Sequence, residues 1–151
     1  SLQGINNMNN TPLYFEDVEF GDDIGPIIKE VSDQAVIDFV SIREPEIEPS
    51  RFTSKEVAQS QGLPEAIVPG AMNIALMSQL LTGWSDNVSL LKLDVVFRKT
   101  VPHNTPLKFS GIITDKDESG SNNLECDITM ENEEGVKLVI GNALIYLPNR
   151  P

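Results

Sequence analysis

Residues 52–81, "FTSKEVAQSQGLPEAIVPGAMNIALMSQLL", decide the fold. Thr53 followed three residues later by Glu56 predicts a capped short helix, and Gly62 suits a left-handed C-terminal cap for it. After Pro69 and Gly70, a second helix is predicted over residues 71–81. Its apolar residues, at positions 72, 74, 75, 76, 77, 80 and 81, wrap most of the way round. This pattern predicts a helix that is buried inside a domain, and about a dozen residues are too few to span a bilayer.

Length, composition and charge limit the classes of function. With 151 residues and 40% hydrophobic content, the chain is expected to form one domain over residues 11–151. Residues 1–10 are polar and rich in Asn, and we interpret them as a disordered or expression-derived lead-in. The net charge of −12 repels phosphate backbones and anionic lipids, which argues against nucleic-acid and membrane partners. A few local bases can still bind an anionic ligand.

The cysteine and histidine content bears on redox chemistry and metals. Cys126 is the only cysteine, so no internal disulfide is possible. One cysteine and one histidine argue against a soft-metal site, and we expect no metal. Residues 1–151 show no secretory pattern and no long apolar run, so we expect a cytoplasmic protein.

The rest of the chain is typical of an α+β domain. Residues 27–31 predict a strand, and residues 33–42 predict a helix capped by Ser32. Two glycines inside strand patterns, Gly111 and Gly141, predict a bend or a close approach of the helix. We therefore expect a curved antiparallel sheet wrapped around one central helix. Its later strands are predicted at residues 89–98, 106–114, 123–131 and 136–147.

Four segments in order resemble the MaoC-like family of (R)-specific enoyl-thioester hydratases and dehydratases, which has the hotdog fold. They are "YFEDVEFGDDIG" (14–25), "SKEVAQSQGLPEAIVPGAMNIALMSQLL" (54–81), "LDVVFRKTVPHNTPLKFSGIIT" (93–114) and "GNALIYLP" (141–148). The resemblance implies two hotdogs that pair edge to edge and an acyl-thioester site at their junction. It implies no cofactor beyond the acyl-CoA or acyl carrier protein substrate.

The catalytic residues of the family are missing from the matching positions. The family uses an Asp followed, after four intervening residues, by a His, and this sequence has Ile47 and Phe52 there. Pro69 replaces a second family His. Glu46 or Glu48 could act as the base if burial raised its pKa, although a solvated acidic loop is the alternative. His103, the only histidine, is interpreted as a surface residue of a turn.

The substrate-binding part of the family pattern is retained. The amides of Gly70, Ala71 and Met72 lie at the positive end of the central helix and could hold a thioester carbonyl, or they could merely begin a buried helix. Two bases at the end of a strand could reach a CoA phosphate, or could simply be solvated. Trp84 is interpreted as a core or dimer-contact residue. The substrate-binding candidates are Phe52, Val68, Pro69, Gly70, Ala71, Met72, Asn73, Arg98 and Lys99.

Three functions remain open from the sequence. The first is a hydratase or dehydratase whose acid–base chemistry has moved to Glu46 or Glu48. The second, which we favour, is an acyl-thioester-binding subunit without its own Asp–His pair, in a homodimer or in a heterodimer with a hotdog partner that has the pair. The third is a non-catalytic dimeric scaffold whose pocket is filled by Phe52. Phe52 removes a base but adds apolar contact area, which favours binding an acyl chain over activating water.

Overall fold

The computed structural model describes residues 12–151, so the predicted lead-in at residues 1–10 lies outside the described part. A short 3-10 turn at Phe15–Asp17 precedes five strands and three helices. The strands are β1 (Asp23–Lys29), β2 (Ser89–Phe97), β3 (Leu107–Lys116), β4 (Asn123–Glu131) and β5 (Lys137–Tyr146). The helices are α1 (Asp33–Ser41), α2 (Lys55–Ser60) and α3 (Gly70–Thr82). No helix within residues 12–151 is long and apolar enough to cross a membrane.

The strands form one antiparallel sheet in the order β1-β3-β4-β5-β2. Helix α3 lies against β1, β2, β3 and β4 on one face of this sheet. The predicted α+β hotdog arrangement, an antiparallel sheet around a central helix, is confirmed. Because β1 and β2 lie at the ends of the strand order, β2 pairs only with β5 within the described residues.

The core lies between α3 and the inner face of the sheet. Strand β4 shows the alternation that a one-sided sheet requires, because every second side chain is buried there. On the helix, the buried residues recur at the spacing of one helical face. The members from β4 are Leu124, Cys126, Ile128 and Met130, and those from α3 are Met72, Asn73, Leu76, Met77, Leu80 and Leu81.

The prediction that α3 is buried on nearly all sides is wrong for the single chain. Ala71 and Ile74 are exposed, and so is Gln79, although its side chain accepts a hydrogen bond from Lys29 of β1. A sheet covers only one face of a helix, so the remaining apolar residues of α3 face outward. The apolar residues of α3 therefore predicted correctly that the helix packs against the core, but they predicted more burial around it than the single chain provides.

Gly111 and Gly141 allow close packing, but the crowding comes from neighbouring strands and not from the helix as expected. Both pair with Ile128 across the sheet. A Cβ at Gly111 would lie 2.8 Å from the Ile128 side chain, and one at Gly141 would lie 3.1 Å from it. The two glycines thus make room for one buried isoleucine between them.

Several predicted boundaries shift. The short helix is capped by Ser54, whose hydroxyl accepts from the Val57 amide, and not by Thr53. Thr53 instead accepts a hydrogen bond from the Ser50 amide in the turn before the helix. Gly62 does adopt the left-handed conformation, with φ of 86°. The first strand begins at Asp23, earlier than the predicted residue 27.

Candidate functional site

The start of helix α3 presents free backbone donors. Pro69 precedes the helix and provides no side-chain cap, and the Asn73 amide makes the first helical hydrogen bond, to the Pro69 carbonyl at 3.0 Å. The amides of Gly70, Ala71 and Met72 come before this bond, so they have no partner inside the helix. Gly70 and Ala71 are exposed. A carbonyl oxygen or an anion can therefore approach donors at the positive end of the helix dipole.

Asn73 places an unpaired acceptor beneath this helix start. The residue is 4% exposed, and its Oδ1 atom has no hydrogen-bond partner among residues 12–151. Its Nδ2 atom donates to the Val68 carbonyl over 3.5 Å, a long contact at the limit of a hydrogen bond. Buried polar atoms are nearly always paired, so an orphan acceptor here indicates a position where a ligand or water donor fits.

An exposed aromatic ring and two bases flank the same helix start. The Phe97 ring lies 3.5 Å from where a Cβ of Gly70 would be, and Phe97 is 49% exposed. Arg98 and Lys99 follow directly, are exposed, and both donate their backbone amides to the Leu138 carbonyl. The structure therefore brings the predicted cations to the same end of the molecule as the predicted amide donors.

The loop that carries Phe52 is connected to the segment before α3. Phe52 is half-buried against the core, with the Arg51 guanidinium 4.7 Å from its ring centre. The Ile67 amide donates to the Arg51 carbonyl at 3.0 Å, which ties this loop to the residues that lead into the helix. Glu46 and Glu48 are exposed, so the single chain lacks the burial that the glutamate hypothesis requires.

His103 is not the surface residue that the sequence suggested, and that interpretation is wrong. Its side chain is 5% exposed. The Nδ1 atom lies 2.8 Å from Asp33 Oδ1, and the Nε2 atom lies 3.0 Å from the Ile67 carbonyl oxygen. The turn folds inward because Asn104, at φ 60°, donates its amide to the Val31 carbonyl and its side chain to Asp33.

Hydrogen bonds also set the electrostatics around Asp33. Donation from His103, and then from Asn104, lowers the pKa of the Asp33 carboxyl below its usual value. A cavity of about 630 Å³ lies beside this pair, and its lining includes the ion-paired Lys55 and Glu65. Within residues 12–151, no three His, Cys, Asp or Glu side chains are grouped so as to hold a metal ion.

Sequence reasoning missed two residues near the site. Phe97 continues the inward alternation of Leu93 and Val95 along β2, a signal that places it on the helix side of the sheet. Asp33 was predicted only as the first residue of the helix over residues 33–42, and its contact with His103 spans 70 residues of sequence. No local pattern predicts a contact of that range. Trp84, interpreted as a core or dimer-contact residue, packs partly buried against the core.

Comparison with known proteins supports the fold. No family model matches the chain, and no curated protein matches it in sequence. Among solved structures, the unliganded R-hydratase PhaJ1 from Pseudomonas aeruginosa is similar, with a TM-score of 0.79 and 17% identity over 92% of this chain and 88% of that one. A MaoC-like dehydratase from Rhodospirillum rubrum has a TM-score of 0.74 and 17% identity, over 92% and 99% of the two chains.

A third similar structure is an assembly. The ChsH1-ChsH2 complex from Mycobacterium tuberculosis matches with a TM-score of 0.74 and 11% identity, over 86% of this chain and 98% of that one. Identities this low bear on the fold and leave the activity open. The chain has the hotdog fold of MaoC-like dehydratases and (R)-hydratases.

Proposed function

We propose that this chain binds an acyl thioester, carried on coenzyme A or on acyl carrier protein, at the start of α3. The uncapped amides of Gly70, Ala71 and Met72 would donate to the thioester carbonyl, as preorganised donors do in oxyanion holes. Arg98 and Lys99, exposed beyond Phe97, would contact the phosphates of the carrier. The observation that carries the proposal is this helix start, which is open, uncapped and flanked by an exposed aromatic ring and two bases.

The same site lacks its own neutral-pH proton carrier, so we propose that it depends on a partner for acid–base chemistry. Phe52 occupies the position that resembles that of the family His, and the one histidine of the chain is engaged by Asp33 and the Ile67 carbonyl. Glu46 and Glu48 are both exposed, so neither is enclosed as a general base in a dry active site would be.

An exposed apolar edge supports a dimer. Strand β2 ends the sheet and exposes Leu91, Val96 and Phe97. Long hydrophobic edges pair readily with another strand. We propose pairing through β2, either with a second copy or with a hotdog subunit that retains the Asp–His pair. The similar ChsH1-ChsH2 structure is itself a complex of two different chains.

Ligand binding is tested by thermal unfolding with and without coenzyme A and crotonyl-CoA. A ligand that binds only the folded state raises the melting temperature, because it adds about 2.7 kcal/mol to the free energy of unfolding at a hundredfold excess over Kd. We expect such a rise for both ligands. If neither ligand changes the melting temperature, the scaffold function replaces the proposal.

Catalysis is tested by following crotonyl-CoA hydration, first with the purified chain alone. We expect no turnover above the uncatalysed rate. Turnover by the chain alone that disappears in Glu46→Gln or Glu48→Gln would establish the glutamate-based hydratase instead. For a heterodimer, activity should appear when a co-purifying hotdog chain with an intact Asp–His pair is added, and should vanish when the His of that partner is changed.

A further inference from the structure

Both ring nitrogens of His103 face hydrogen-bond acceptors. Nδ1 lies 2.8 Å from the Asp33 carboxylate, and Nε2 lies 3.0 Å from the Ile67 carbonyl. A backbone carbonyl has no hydrogen to donate, and neither does an ionised carboxylate. Asp33 is exposed and is kept ionised by the same hydrogen bonds, which lower its pKa. Only the imidazolium form, with a hydrogen on each nitrogen, satisfies both contacts.

The Ile67 carbonyl belongs to the segment that leads into the candidate site. Residues 67–70, here called the entry segment, run from Ile67 to the first residue of α3. The Ile67 amide donates to the Arg51 carbonyl beside Phe52, and the Val68 amide donates to the Val101 carbonyl at 2.8 Å. His103 thus binds the entry segment from the side of the β2–β3 connection, while Asp33 ties the ring to the first turn of α1.

We propose that His103 is a positioning residue whose imidazolium holds the entry segment in place and thereby sets the orientation of the amides at the start of α3. The link to ligand binding rests on the proposed function, but the charge state of the ring and its hold on Ile67 do not. The residue acts through the backbone, since nothing places it against the ligand itself.

Loss of the proton weakens one contact more than the other. A carboxylate is the stronger acceptor, so the remaining hydrogen stays on Nδ1, facing Asp33. The bare Nε2 lone pair then faces the Ile67 oxygen, and the bond to the entry segment is lost. The other charged groups that line this cavity are Lys55 and Glu65, which pair with each other at 3.3 Å.

The charge state can be measured directly, because the chain contains one histidine. Long-range 1H–15N NMR spectra of untagged, 15N-labelled protein distinguish the imidazolium from each neutral tautomer. We expect two protonated ring nitrogens wherever the contact to the Ile67 carbonyl is kept, and, once high pH removes one proton, the Nδ1–H tautomer together with changed backbone amide shifts of Val68 and Gly70. A neutral ring while these amide shifts are unchanged, an Nε2–H tautomer, or amide shifts of the entry segment that do not change with the charge of the ring would each overturn the proposal.

Ligand affinity supplies the functional readout. Losing a charge-assisted hydrogen bond should weaken binding of crotonyl-CoA about tenfold between a pH at which the NMR spectra show the charged ring and a pH at which they show the neutral one. His103→Gln keeps at most one of the two bonds and has no proton to lose in this range, so its affinity should change only as much as ionisation of the ligand dictates. An equal pH dependence in His103→Gln and the unsubstituted chain would overturn the positioning role. Absence of crotonyl-CoA binding at every pH would reject the proposed function, and the NMR spectra would still decide the charge of the ring and its contact with Ile67.

Discussion

Among residues 12–151, the nearest atoms to a methyl group added at Gly70 would be those of the Phe97 ring, at the ordinary contact distance of 3.5 Å. Gly70 also has no left-handed φ that would require glycine. The chain itself therefore tolerates alanine here, and alanine is the better helix former by up to about 1 kcal/mol. We expect Gly70→Ala to keep or slightly raise the melting temperature while weakening crotonyl-CoA binding at least about tenfold, because the methyl group blocks approach of the thioester carbonyl to the amides.

The control for this substitution is Gly111→Ala. Its methyl group would lie 2.8 Å from the Ile128 side chain and 3.1 Å from the Asp127 carbonyl oxygen, so it should lower stability by about 1 to 3 kcal/mol through overpacking. Calorimetric titration and thermal unfolding on both variants separate the two effects. Unchanged crotonyl-CoA affinity in Gly70→Ala would remove the helix start as the ligand site.

At Asn73, as at Gly70, the natural residue favours ligand binding over stability. Replacing it by leucine removes a long 3.5 Å hydrogen bond, but also removes a buried unpaired oxygen whose desolvation costs about 1 to 3 kcal/mol. We therefore expect Asn73→Leu to raise the free energy of unfolding by about 1 kcal/mol, measured by urea titration, and to reduce affinity for a thioester ligand. A clear loss of stability would mean that the oxygen is satisfied by a structural water, with no role for a ligand.

At the scale of elements, sequence patterns gave the type of each helix and strand better than their ends. Ser54 and Thr53 are both good N-caps, and only the fold shows that Thr53 is occupied by the preceding turn. Local alternation predicted β4 with its correct bounds, because its four inward side chains are apolar and its outward neighbours are mostly polar. Strand β1 has a register shift between Ile24 and Ile27, which interrupts the alternation that would have marked its start.

The turn between β3 and β4 is held by one carboxylate. Asp117 accepts hydrogen bonds from the Ser119 amide and hydroxyl at 2.9 and 2.6 Å, and from the Ser121 hydroxyl. Donation by Ser119, and then by Ser121, lowers the pKa of Asp117 to about 2. A depressed folded-state pKa means that the contribution to stability is complete above the unfolded pKa of about 3.9 and is lost as pH falls through about 2.

We therefore expect Asp117→Asn to be less stable than the unsubstituted chain at neutral pH, with a difference that shrinks by about pH 3. Urea unfolding at both pH values measures it. Glu133→Gln, an exposed acid in the β4–β5 turn, is the matched control and should show little difference at either pH. If Asp117→Asn lowers the free energy of unfolding as much at about pH 3 as at neutral pH, the carboxylate charge is not what holds the turn.

For the whole molecule, periodicity predicted strands and a helix but not their spatial order. The order β1-β3-β4-β5-β2 depends on contacts between distant segments, and the expectation of a hotdog came from the resemblance of four segments. The His103–Asp33 contact escaped prediction for the same reason. The amide donors of the candidate site were predictable because they follow from a Pro-Gly helix start, which is local. The position of the Phe97 ring beside these donors could be seen only in the tertiary structure.

The state of assembly provides the last test, because β2 is both the edge of the sheet and the neighbour of the candidate site. Leu91 and Val96 are 53% and 56% exposed on this edge, and lysine at edge positions opposes strand pairing. We expect the chain to be dimeric by light scattering, and Leu91→Lys with Val96→Lys to weaken the dimer at least about tenfold and to reduce coenzyme A binding with it. The control, Ile28→Lys with Ile112→Lys, adds the same charge on β1 and β3. It should leave the dimer mass measured by light scattering unchanged. A monomeric unsubstituted chain, or an equal effect of both double variants, would contradict pairing through β2.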